Sequence, residues 1–178
     1  MKKKLILLLT LGLILIGGWF YYQYSKTANW NTYKSDEWEV EIKYPSSYNF
    51  RNYAPKKSDN FFNTTLVTLH NPKDDGEYIP TFMISIMRQP ITHNGPIYTS
   101  SMEAAQKLFE GYGDNAVIKS TRIDNYESAE VTFDCKKVGV GCADKEYIVV
   151  KDGYIYSIMW DLTYSEFSLV TKSFKFTK

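Results

Sequence analysis

The N-terminal segment constrains this chain more than any other part of it. Lys2, Lys3 and Lys4 precede a nearly unbroken apolar run, Leu5–Tyr22. As a helix rising about 1.5 Å per residue, the run would span roughly 27 Å, close to the ~30 Å hydrocarbon thickness of a bilayer. We therefore predict one N-terminal transmembrane helix over residues 1–22. Because three lysines favour a cytoplasmic N-terminus, the remainder of the chain is expected on the outer side of the cell membrane.

The end of the apolar run bears on whether the segment is an anchor or a cleaved signal peptide. A cleaved signal ends in small residues at an A-x-A-like site. Here the run continues through Trp19, Phe20 and Tyr21, whose bulky rings suit the headgroup depth of a membrane. We favour an uncleaved signal anchor, with a cleaved signal and a secreted domain as the open alternative. The first cysteine is Cys135, which excludes a lipid attached to a cysteine near the N-terminus.

Chain length and charge limit what the outer part can be. After a linker over residues 23–29, residues 30–178 are long enough for one ordinary domain with its own core. The chain has 21 basic and 20 acidic residues. Four of the basic residues precede position 30, which leaves 17 basic against 20 acidic residues and a net charge of −3 in the outer domain. Without a basic stripe, nucleic-acid binding is not expected.

The two cysteines, Cys135 and Cys142, are separated by six residues. A redox pair normally has the tighter C-x-x-C spacing, and a metal site needs further Cys or His ligands nearby. The two histidines, His70 and His93, are far away in sequence. We therefore predict a structural Cys135–Cys142 disulfide across a loop, which suits an oxidising compartment. In the chain-entropy model such a bridge contributes about 2.5 kcal/mol.

Apolar alternation predicts the strands in the first half of the domain. Trp38, Val40, Ile42 and Tyr44 alternate with charged residues, and Pro45 ends the pattern. Period two with one charged face is typical of a half-buried strand. By the same criteria, the next part of the chain is predicted as a loop over Phe50–Asn60 followed by strands over Phe62–His70 and Tyr78–Arg88.

Two segments change to helical spacing. Ser100 and Glu103 form a capping box, apolar residues then recur at helical intervals, and Gly111 is a suitable C-terminal stop. This predicts an amphipathic helix of about ten residues that packs on the core. A second capping box, Thr163–Glu166, predicts another helix before a terminal Ser173–Phe176 strand or tail.

The second half of the domain has the pattern of an antiparallel meander. Strands are predicted over Val117–Ile123, Glu127–Cys135, Lys145–Lys151 and Tyr154–Trp160. Asp152-Gly153 between the last two strands predicts a type I′ hairpin turn. Both of these strands are apolar on both faces, as strands in the middle of a covered sheet are. The predicted class is α+β, an antiparallel sheet with helices on its faces.

Several short motifs together resemble the PsbP-like (Mog1/PsbP) family. They are Trp30-x-Thr32-Tyr33, Val40-x-Ile42-x-Tyr44-Pro45, the Ser100–Leu108 helix, Tyr154-x-Tyr156 and Ser173-Phe174-Lys175-Phe176. The resemblance implies an α/β/α sandwich around an antiparallel β-sheet, in a membrane-anchored bacterial envelope protein with a non-catalytic accessory or binding role. The Cys135–Cys142 loop is not a general feature of that family.

No catalytic motif is present, and we predict no catalytic, cofactor-binding or metal-binding residues. His70 and His93 are expected on the surface, and Lys73–Glu77 is expected to be a solvated turn.

Three hypotheses for function follow. The first is a membrane-tethered, extracytoplasmic accessory protein that binds an envelope protein. The second is a carbohydrate- or peptide-binding module that uses some of the 15 tyrosines. The third is a small hydrolase, which requires a histidine close to a nucleophile.

Overall fold

A computed structural model describes residues 27–59, 63–70, 82–89, 97–138, 145–160 and 167–177, together with residues 12, 14, 17, 18, 22, 25 and 95. The strands are β1 Trp30–Ser35, β2 Val40–Pro45, β3 Asn49–Asn52, β4 Asn63–His70, β5 Phe82–Arg88, β6 Ala116–Ile123, β7 Tyr126–Phe133, β8 Lys145–Lys151, β9 Tyr154–Trp160 and β10 Lys175–Phe176. The helices are α1 Ser101–Leu108, α2 Cys135–Val138 and α3 Phe167–Ser173, and a 3₁₀ segment spans Glu110–Asn115.

The strands form two antiparallel sheets. The larger has seven strands in the order β3-β4-β5-β9-β8-β7-β6, and the smaller has three in the order β1-β2-β10. Every neighbouring pair is antiparallel. The predicted α+β class is therefore confirmed, and β8 and β9 lie inside the larger sheet, as their two apolar faces predict.

Each face of the larger sheet packs against a different layer. On one face, Tyr156 and Ile84 share a core with Val40 of β2 and with Phe174, which directly follows α3. On the other face, residues of β7, β8 and β9 share a second, smaller core with Ala104 and Ala105 of α1. Successive residues of β8 alternate between the two cores, because neighbouring side chains on a strand point to opposite faces.

Two strands in the first third of the domain were not predicted. β1 pairs with β2 along its whole length, and β3 occupies the beginning of the predicted Phe50–Asn60 loop. Phe50 stacks on Tyr44 with ring centroids 4.9 Å apart and lies 5.3 Å from the ring of Tyr33. These tertiary contacts stabilise β3 although its local sequence is polar. The local pattern therefore predicts a loop where the structure has a strand.

The predicted N-cap of α1 at Ser100 is confirmed, whereas the Glu103 side chain bonds to Thr99 rather than to Ser100. The Ser100 hydroxyl accepts a hydrogen bond of 3.1 Å from the Glu103 amide. The Glu103 carboxylate accepts from the backbone amide and the hydroxyl of Thr99, at 3.1 and 3.2 Å. The predicted stop at Gly111 is wrong, because the chain continues into the 3₁₀ segment and the glycine with a left-handed φ of 53° is Gly113.

The β8–β9 connection and the C-terminus also follow the sequence prediction. Asp152 and Gly153 have φ values of 52° and 77°, as the two central residues of a type I′ turn require. The last strand, β10, pairs with β2. α3 begins at Phe167, whereas the predicted capping box before it lies outside the described residues.

The predicted disulfide and the predicted transmembrane helix also fall wholly or partly outside the described residues. Cys135 begins α2, so the predicted Glu127–Cys135 strand ends two residues earlier, at Phe133. Cys135 is not a free cysteine, but Cys142 is not described and the pairing stays a prediction. Most of residues 1–22 are likewise not described. Within the described residues, no helix has the length and apolar character that crossing a bilayer requires.

Candidate functional site

A cleft between α3 and the larger sheet brings together residues that are far apart in sequence. Its volume is about 410 Å³, within the usual size range of ligand sites. The position of α3 is fixed by Ser173, whose hydroxyl accepts a 2.9 Å hydrogen bond from the backbone amide of Lys43 in β2. The lining residues are Arg122, Ile123, Asp124, Lys145, Tyr147, Trp160, Ser168, Thr171 and Lys172. We call this the α3 cleft.

Two aromatic side chains line the sheet side of the α3 cleft. Tyr147 of β8 and Trp160 of β9 have ring centroids 5.0 Å apart and planes inclined at 37°. Trp160 is opposite Lys145 in the antiparallel register, so both rings lie on the same face of the sheet. Trp160 is buried and Tyr147 is partly buried. Tyr147 therefore supplies most of the accessible aromatic surface of the cleft, and the buried Trp160 ring packs against it.

Glu130 of β7 forms hydrogen bonds with the side chains of Lys145 and Tyr147. Its carboxylate accepts a hydrogen bond of 2.9 Å from Lys145 Nζ and another of 2.7 Å from the Tyr147 hydroxyl. Burial raises the pKa of Glu130, but the hydrogen bonds from Lys145 and Tyr147 outweigh that effect and bring the pKa below its ordinary value. Burial and the adjacent Glu130 raise the pKa of Tyr147 well above its ordinary value. At neutral pH, Tyr147 is therefore a fixed hydrogen-bond donor and a poor nucleophile.

The rim of the α3 cleft is predominantly cationic. Arg122, at the end of β6, and Lys172, in α3, have no acidic group within 4 Å among the residues that the structure describes. The carboxylate that lines the cleft, Asp124, accepts a 3.3 Å hydrogen bond from the Phe176 amide. The lining therefore carries three cationic side chains and one carboxylate. Such a site favours an anionic ligand.

Of the cysteines and histidines that the sequence singled out, the two that the structure describes, Cys135 and His70, are not in this cleft. Cys135 begins α2, which contacts the 3₁₀ segment, and His70 ends β4. His93 is not described. Across the described part of the chain, no group of three or more His, Cys, Asp or Glu side chains could hold a metal ion. The sequence gives little sign of the α3 cleft, because its residues come from four separate segments.

A second, more open groove lies on the β3–β4–β5 end of the larger sheet. It is lined by Arg51, Tyr53, Thr68, His70, Met83 and two further threonines, and has a volume of about 500 Å³. Thr68 is buried, and its hydroxyl has no hydrogen-bond partner in the structure as described. Tyr53, in this groove, is 51% exposed, and Tyr112, in the 3₁₀ segment, is 41% exposed. β3 and β6 are opposite edges of the larger sheet, and the 3₁₀ segment leads directly into β6. These two exposed rings therefore do not form a row.

Comparison with known proteins finds distant structural likenesses. The chain is similar to the solution structure of cyanobacterial PsbP (CyanoP) from Synechocystis sp. PCC 6803, with 11% sequence identity and a TM-score of 0.43, covering 84% of this chain and 93% of that one. It is also similar to a crystal structure from Bacteroides thetaiotaomicron VPI-5482, with 12% identity and a TM-score of 0.40, covering 84% of this chain and 49% of that one. No family model and no curated protein matches the sequence. Likenesses this distant carry no argument about the activity of this chain.

Proposed function

We propose that this chain is a non-catalytic binding protein, tethered to the cell membrane by residues 1–22, whose outer domain assists an envelope protein or complex. The observation that carries the proposal is the Glu130 network in the α3 cleft. The Glu130 carboxylate engages both Lys145 and Tyr147 in this cleft. Their fixed positions beside the Trp160 ring suit the recognition of a ligand better than its chemical conversion.

Photo-crosslinking in cells that produce the full chain tests the binding role. A photo-crosslinking amino acid replaces Ser168, which is exposed and lines the cleft. The matched control replaces Gln106, which is exposed on α1 on the opposite face of the sheet. We expect a discrete crosslinked protein from position 168 and none from position 106. If both positions yield the same products, or neither yields one, the α3 cleft is not a site of partner binding.

The membrane tether is tested on the same cells. If residues 1–22 remain as a transmembrane helix, the full chain stays in the membrane pellet after extraction with alkaline carbonate, and its intact mass includes the N-terminal segment. Protease added from outside then degrades the domain. Release of a shorter chain into the supernatant would show a cleaved signal instead, in which case the domain is secreted.

A carbohydrate-binding role is a second candidate, and the groove around Tyr53 favours it. The exposed Tyr53 ring beside Arg51 combines a stacking surface with a hydrogen-bonding group. Under this alternative, Tyr53→Ala abolishes retention of the full chain on an immobilised polysaccharide, whereas Tyr112→Ala leaves it unchanged. Equal retention of both variants would contradict it.

A further inference from the structure

The charges of the α3 cleft are arranged around a concavity rather than on a flat patch. Arg122 lies near the end of β6, which is an edge strand of the larger sheet. Lys145 begins β8, and Lys172 lies on α3, which forms the opposite wall of the cleft. Two of these three cations, Arg122 and Lys172, have no acidic partner among the residues that the structure describes. Between the walls lie the rings of Tyr147 and Trp160. A ligand in the cleft thus meets cationic groups at its edges and aromatic surface beneath it.

We propose that the α3 cleft binds an acidic segment of the partner protein, with carboxylates beside Arg122 and Lys172 and apolar parts of the segment over the Tyr147 ring. This assignment rests on the proposed binding function and specifies the chemistry of the partner. A segment of chain can enter a concavity between a helix and a sheet, whereas an anionic lipid surface is broad and calls for cations on an accessible, projecting face. The cleft geometry therefore favours a protein segment over a membrane surface.

Lys145 gives the cleft a property that distinguishes it from a simple basic patch. Its ammonium group has three N–H donors, of which one is bound to Glu130 at 2.9 Å. The Glu130 carboxylate therefore competes with a ligand carboxylate for Lys145. Replacing Glu130 by glutamine keeps a side-chain oxygen for the Tyr147 hydroxyl but removes the negative charge. Acidic ligands should bind this variant more tightly than the unmodified protein.

The experiment measures binding of synthetic peptides to the full chain in detergent micelles by isothermal titration calorimetry at low salt. The probes are acetyl-hexaglutamate amide and acetyl-hexaglutamine amide, which differ in charge but hardly in size. We expect the glutamate peptide to bind. Arg122→Glu or Lys172→Glu should raise its Kd about fivefold or more, and Glu130→Gln should lower its Kd about threefold. The control, Lys107→Glu, makes the same charge change at an exposed position of α1. It should leave the Kd within about twofold of that of the unmodified protein. Circular dichroism establishes that each variant is folded.

The opposite effects expected from Glu130→Gln and Lys172→Glu make the test selective. Equal affinity for the two peptides would overturn the proposal, as would an effect of Lys107→Glu equal to that of Lys172→Glu. Vesicles containing one-third phosphatidylserine provide the other arm. Vesicle binding that is lost in Arg122→Glu and Lys172→Glu, without any peptide binding, would overturn the proposal and assign the cleft to anionic lipid. If crosslinking at position 168 captures a partner while the glutamate peptide does not bind, the acidic-segment assignment fails and the binding function stands.

Discussion

The Ser157 hydroxyl of β9 donates a hydrogen bond of 2.5 Å to the Glu146 carboxylate of β8. Glu146 is only 8% exposed and lies on the same face of the sheet as Ile148, which packs against α1. Burial raises the pKa of Glu146 to about 7, and the hydrogen bond from Ser157 offsets only part of that effect. A carboxyl group in the interior of the sheet therefore changes its charge near neutral pH.

This carboxyl group should make the stability of the domain depend on pH. Its pKa is higher in the folded protein than its ordinary value of 4.5, so between these two values the folded state holds a proton that the unfolded state has released. The free energy of unfolding should therefore fall as the pH rises from about 4.5 to about 7, by up to about 3 kcal/mol. Glu146→Gln should remove that decline. Urea denaturation from pH 4.5 to 8.5 measures it, and the exposed Glu127→Gln serves as the control. A Glu146→Gln curve parallel to that of the unmodified protein would contradict the prediction.

Two buried serines should respond to alanine substitution in opposite directions. Ser128 is fully buried, and within the structure as described its hydroxyl has no hydrogen-bond partner. Ser128→Ala should therefore raise the free energy of unfolding by about 1 kcal/mol, because it removes an unsatisfied polar group. Ser157→Ala should lower it by about 2 kcal/mol at pH 8, where ionised Glu146 loses its donor. Urea denaturation of both variants measures the difference, and a loss of stability in Ser128→Ala would show that its hydroxyl has a partner in solution.

The sequence predicts those parts of the fold in which local pattern and tertiary packing agree. β8 and β9 could be predicted because residues such as Ile148 and Val149 alternate between two cores that are both apolar. α1 could be predicted because Ser100 and Glu103 make their capping contacts within a few residues of each other. β3 could not, because Phe50 is held by rings from other strands rather than by a local pattern.

The α3 cleft could not be predicted, for a related reason. Lys145 and Tyr147 are two residues apart on one strand, but Glu130, which holds them, lies on the neighbouring strand. Lys172 lies in the same cleft as Lys145 and Tyr147 only because α3 packs beside β2. Charged and aromatic residues of these kinds occur throughout the sequence, so their identity does not show which of them meet. Only the strand order and the position of α3 bring them together.

The cap of α1 should contribute measurably to stability. Ser100→Ala removes the hydroxyl that accepts from the Glu103 amide, and it should lower the free energy of unfolding by about 1 kcal/mol. Exposed Ser120 in β6 offers a control at which the same substitution should change stability by less than about 0.5 kcal/mol. Urea denaturation at pH 7 measures both. Equal effects of the two substitutions would mean that the cap contributes nothing specific.

Cys135 and its predicted partner Cys142 should form one intramolecular disulfide in the mature protein. The chain has two cysteines, and Cys135 is not a free thiol. Alkylation of the denatured, unreduced protein should therefore add no label, and alkylation after reduction should add two. Reduction should lower the free energy of unfolding by about 2.5 kcal/mol, because the bridge limits the freedom of the unfolded chain. The variant with serine at both positions should have the stability of the reduced protein and should not respond to reductant. Two labels without reduction would exclude the bridge, and a dimer that separates on reduction would show that the cysteines pair between chains.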